Sequence, residues 1–68
     1  MGEANAKSMA AKIVAAMRRS KVRPGELADR IGVTPQYVSY LRSGKRRPSL
    51  EMLGKIAKEL GVEMGELL

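Results

Sequence analysis

The feature that most constrains this chain is how often it stops and restarts helices. Pro24 precedes Gly25 and Glu26, Gly32 precedes Thr34 and Pro35, Gly44 opens a loop that ends at Pro48 and Ser49, and Gly61 follows Leu60. Proline suits the first turn of a helix, Ser and Thr cap helix starts, and glycine closes helix ends. Between these marks the apolar residues recur three and four apart, which is the helical period. They run Met9, Ile13, Ala16 and Met17; Leu27, Ala28 and Ile31; Val38 and Leu41; and Leu50, Leu53, Ile56, Ala57 and Leu60. No segment alternates with the period of a strand. The pattern predicts an all-α chain, a compact bundle of five short helices. The first starts at Met9 with Ser8 as its N-cap and ends near Ser20, and the last lies within Met64 to Leu68.

With 68 residues there is room for one domain. Residues 1–8 are small and polar without periodicity and read as a flexible N-terminal tail, native or appended, so the folded domain is expected over 9–68. The chain holds eight alanines and five methionines but no Phe or Trp, so its core must be aliphatic. It has neither Cys nor His. Disulfides, thiolate metal sites, the usual zinc ligand and the usual general base are all excluded. Without clustered carboxylates either, the chain is not expected to be an enzyme or to hold a metal or cofactor. No apolar run approaches the roughly 20 residues of a membrane helix, and the N-terminus lacks a signal-peptide core. A soluble cytoplasmic protein, associated with the nucleoid, is the expectation.

Charge adds a direction. The net charge is +6, and it is unevenly spread. Residues 18–47 hold nine basic side chains (Arg18, Arg19, Lys21, Arg23, Arg30, Arg42, Lys45, Arg46, Arg47) against Glu26 and Asp29, a net of +7. The other residues hold four basic and five acidic side chains, a net of −1. Such segregation favours a binding face for a polyanion over a merely solvated surface.

Two short helices joined by Gly32-Val33-Thr34 have the spacing of a helix-turn-helix, whose second helix enters the DNA major groove. Stepping about 100° per residue along that second helix puts Val38 and Leu41 on the inner side. Gln36, Ser39, Tyr40 and Ser43 then face outward, with Tyr37 at the flank. Amides, hydroxyls and phenols are a poor choice for an ordinary solvated helix, which favours Glu, Lys and Ala. They suit base reading: Gln can pair with adenine N6 and N7, and hydroxyls both donate and accept. Boundary packing is the alternative for Tyr37 and, less readily, for Tyr40. The Lys45-Arg46-Arg47 run, with Arg42 and Ser43 before it, lies where a phosphate backbone would pass.

From about Ile13 to Leu68 the chain resembles the Cro/repressor class of helix-turn-helix domains, the Xre family, whose fold is that of lambda-repressor-like DNA-binding domains. The resemblance is carried by Leu27-Ala28-Asp29-Arg30-Ile31-Gly32-Val33-Thr34, Tyr37-Val38-Ser39, Gly44-Lys45-Arg46-Arg47-Pro48-Ser49-Leu50, Leu53, Ile56-Ala57 and Leu60-Gly61-Val62. It implies a five-helix domain that binds operator DNA as a dimer, with base contacts from Pro35, Gln36, Tyr37, Ser39 and Tyr40. Phosphate contacts are expected from Arg23, Thr34, Arg42, Ser43, Lys45, Arg46 and Arg47. The chain departs from the family in three places. Pro35 offers only apolar contact where a polar residue is common. Arg23 and Pro24 replace a small polar residue and a Gln at the start of helix 2. Met17 and Arg42 replace a frequent Arg–Glu pair, a coherent double loss because removing one partner alone strands a charge.

The expected function is a sequence-specific regulator of transcription, a repressor, that inserts the helix of residues 35–43 into the major groove of a two-fold operator. The expected partners are double-stranded DNA and a second copy of the chain. The competing reading is an antitoxin or accessory protein-interaction module of the same fold, with Met64, Leu67 and Leu68 as a candidate partner surface, although core closure is the simpler role for them. RNA binding fits the charge but not a groove-reading helix. No small-molecule effector and no sensor domain are evident, so a signal would act through a partner, proteolysis or protein concentration.

Overall fold

A computed structural model describes the backbone of residues 4–68 and the side chains of residues 8–68. The described residues form four α-helices, α1 (Ala4–Ser20), α2 (Pro24–Ile31), α3 (Pro35–Ser43) and α4 (Leu50–Leu60), followed by one 3-10 turn at Met64–Glu66. The all-helical bundle expected from the apolar spacing is present, with the fifth helix reduced to that single turn.

The first helix starts earlier than expected. α1 begins at Ala4, so Ser8 lies inside it and is not its N-cap. Residues 4–8 lack apolar periodicity, but Ala and Lys among them are good helix formers, and propensity extends the helix beyond its packed stripe. Met1 to Glu3, the rest of the expected tail, lie outside the described residues.

Local chemistry sets the other boundaries as the sequence predicts. The Thr34 hydroxyl accepts the Tyr37 N–H at 3.1 Å and the Ser49 hydroxyl accepts the Met52 N–H at 3.1 Å, each satisfying a donor with no partner inside its helix. At the start of α2 the Glu26 carboxylate accepts the Arg23 N–H at 3.4 Å. This is half of a capping box, because an arginine side chain has no acceptor to complete it. Gly32, Gly44 and Gly61 close α2, α3 and α4 in the left-handed region, at φ of 75°, 83° and 69°.

One core joins these elements. Met9, Ile13, Ala16 and Met17 from α1, Leu27, Ala28 and Ile31 from α2, Val38 and Leu41 from α3, and Leu53, Ile56, Ala57 and Leu60 from α4 are all buried. α3 packs against both α1 and α2, and α4 crosses α2 and α1. Leu50 departs from its expected inward position and is 69% exposed. It is the first residue of α4, beyond the reach of the helices that cover the later turns. Leu67 is fully buried and Met64 packs against the core, so both take the core-closing role, while Leu68 remains 55% exposed. Two polar ties hold α1 to the C-terminal part. Ser20 Oγ lies 2.7 Å from the carbonyls of both Ala16 and Leu60, its single proton serving one at a time. Arg19 pairs with Glu66 at 3.1 Å. Among the described residues no buried side-chain polar atom lacks a partner.

Candidate nucleic-acid interface

The short Gly32-Val33-Thr34 turn fixes α3 against α2, and the burial of Val38 and Leu41 fixes its rotation. Gln36, Ser39, Tyr40 and Ser43, spaced three and four apart, therefore share the side turned away from the core. Gln36, Ser39 and Ser43 are exposed and Tyr40 is half-exposed. Pro35 and Thr34 are exposed at the start of the helix, while half-buried Tyr37 packs its ring partly against the core. Tyr37 is thus in part the boundary residue that its flank position suggested.

Contacts within this face order it before any ligand arrives. Gln36 Nε2 donates to the Tyr40 hydroxyl at 2.9 Å. The amide keeps its second N–H and its carbonyl oxygen free of that contact. The Lys45 ammonium lies 5.7 Å from the centre of the Tyr40 ring and the Arg46 guanidinium 5.6 Å from that of Tyr37. Cation–π contacts at such exposed sites are worth about 0.5–1 kcal/mol and hold the loop cations against the helix. Lys45, Arg46 and Arg47 are exposed, and the loop ends at buried Pro48. The Thr34 hydroxyl, whose oxygen serves as N-cap, retains its proton for another acceptor. The Ser43 hydroxyl donates to the Tyr40 carbonyl at 3.2 Å, so in this rotamer it offers lone pairs rather than a proton.

Arg23 and Arg42 are exposed and belong to a second basic cluster. Together with Arg18 and Lys21 they line an open pocket between the end of α1, the start of α2 and the end of α3, floored in part by Met17 and Val22. Arg18 and Lys21 belong to the basic middle of the sequence, yet spacing alone does not join them to Arg42, more than twenty residues away. Their convergence appears only when α1 packs against α3. The ion pairs among the described residues are Arg19–Glu66 and Arg30–Glu26, and neither uses a lining cation.

A short-turn pair of helices whose second member presents polar side chains beside a basic loop has the geometry of a DNA-binding helix-turn-helix. A family profile described as helix-turn-helix matches residues 14–67. The chain belongs to that family, the Cro/repressor-type or Xre group of DNA-binding transcription regulators. Two crystal structures of the clp gene regulator ClgR from Corynebacterium glutamicum are similar to it at 25% sequence identity, each over 93% of this chain. One has a TM-score of 0.87 with 82% of its own chain covered, the other 0.88 with 67% covered. Comparison with curated protein sequences finds no match. The fold and family are typically non-enzymatic. Among the described residues no helix is long and apolar enough to cross a membrane.

Proposed function

We propose that this protein is a sequence-specific transcriptional repressor that binds a two-fold operator as a homodimer and lays α3 in the major groove. The observation that carries this reading is the outward face of α3, where Gln36, Ser39, Tyr40 and Ser43 stand together beside the exposed Lys45-Arg46-Arg47 loop. Gln36 reads adenine through its carbonyl oxygen and remaining N–H, with Tyr40 holding the amide plane. Ser39 and the Tyr40 and Tyr37 hydroxyls supply further edge contacts, and Pro35 offers apolar contact to a thymine methyl. Arg23, Thr34, Arg42, Lys45, Arg46 and Arg47 take phosphates and set register without reading sequence, and Ser43 joins them once its hydroxyl rotates away from Tyr40.

Selection of bound duplexes from a random pool tests the assignment. Gln36→Ala and Tyr40→Ala should each relax preference at one base pair of the half-site, by about 1–3 kcal/mol of discrimination. An unchanged selected sequence in both variants removes α3's outward face as the reader. The half-sites should lie about one DNA turn, roughly 34 Å, centre to centre.

A further inference from the structure

The pocket lined by Arg18, Lys21, Arg23 and Arg42 has a volume of about 370 Å³. No acidic residue lines it. Four like charges around one opening repel each other, and among the described residues none of them is offset by an ion pair. Such an arrangement is stabilised by an anion. Met17 and Val22 give the same pocket an apolar floor.

Lys21 provides a second, independent observation. α1 ends as a Schellman motif, with the Val22 N–H donating to the Met17 carbonyl at 3.0 Å and the Lys21 N–H to the Arg18 carbonyl at 3.2 Å. That motif puts Lys21 in the left-handed region at φ 59°, the one non-glycine residue with positive φ among the described residues. The other three helices use glycine at this point. Glycine would close α1 without the strain, and what lysine adds is a cation at the pocket.

We propose that this pocket is a binding site for a phosphate ester carrying an apolar group. The guanidinium forks of Arg23 and Arg42 suit phosphate oxygens, Arg18 and Lys21 supply further positive charge, and the ester's apolar part lies on Met17 and Val22. The volume is at the small end of ordinary ligand pockets. A free small ester and a DNA backbone phosphate share this chemistry. On the reading that Arg23 and Arg42 take DNA phosphates, a free ester in the pocket weakens duplex binding and gives the chain an effector site of its own.

The test is a titration of the DNA-free protein with phenyl phosphate and with inorganic phosphate, followed by backbone amide shifts. Saturating shifts at Val22, Arg23 and Arg42 are expected, reached at lower concentration with phenyl phosphate. Lys21→Gly should weaken the site by about threefold while raising the melting temperature, and Arg42→Met should weaken it by at least as much. A fold defect cannot produce the first result, because that variant folds better. Shifts that rise linearly, that chloride reproduces at equal ionic strength, or that both variants leave unchanged overturn the site. Adding duplex to the phenyl phosphate complex identifies the source: displacement assigns the pocket to the backbone as well, and retention assigns it to the free ester. If duplex affinity is unchanged by saturating phenyl phosphate, the effector role is overturned while the site stands. Absence of any duplex affinity without ester refutes the DNA reading and leaves the DNA-free titration intact.

Discussion

At the proposed ligand site, Lys21 carries opposing demands of stability and binding. Its left-handed backbone is one that L side chains avoid. Lys21→Gly should raise stability by about 0.5–1 kcal/mol, read as a melting temperature several degrees higher. Arg46, on the proposed DNA face, carries no such conflict. Its guanidinium rests on Tyr37 and is exposed, so Arg46→Ala should leave the fold unchanged within about 0.5–1 kcal/mol. The same change should weaken binding almost equally for all duplexes and reduce the slope of log K against log salt by about 1 per subunit. A sequence-dependent loss would instead make Arg46 a base reader. At this scale the sequence was legible as to which polar and basic side chains stand exposed beside one another. Gln36 and the Lys45-Arg46-Arg47 run stood out without a structure. The contacts that order them, Gln36 with Tyr40 and the two cations over the tyrosine rings, depend on rotamers that no spacing rule supplies.

At the scale of elements, caps decide where each helix begins and ends. Thr34→Ala removes the acceptor for the Tyr37 N–H and should cost about 1 kcal/mol, measurable by denaturant unfolding. It also frees the first turn of α3, so duplex affinity should fall further than stability alone accounts for. Gly32, Gly44, Thr34, Pro35 and Ser49 were readable as boundaries because capping is chemistry between near neighbours in sequence. The start of α1 was not, since periodicity reports the packed face of a helix and is silent where propensity carries it onward. Leu50 fits the apolar stripe of α4 in register, yet stays exposed at the very start of the helix, while Leu53 one turn on is buried.

The described residues measure 32 × 23 × 21 Å, and on the proposed reading the long dimension suits one chain per half-site at a spacing of roughly 34 Å. A domain this small has little stability in reserve, about 3–5 kcal/mol from a single core. Ile56 is fully buried where α4 meets the other helices. Ile56→Val should cost about 0.5–1.5 kcal/mol and leave a folded protein, whereas Ile56→Ala, at about 2–5 kcal/mol, should use most of that reserve and leave a substantial unfolded fraction at 25 °C by circular dichroism. The sequence by itself determined the extents of α2, α3 and α4, the turn between α2 and α3, most of the aliphatic core and the polar face of α3. All of these follow from chemistry between residues a few positions apart. Only the tertiary structure decided that Leu67 closes the core while Leu50 does not, and that Arg18, Lys21 and Arg23 meet Arg42 around one pocket. Those outcomes depend on how α1, α3 and α4 pack, and packing brings together residues that are distant in the chain.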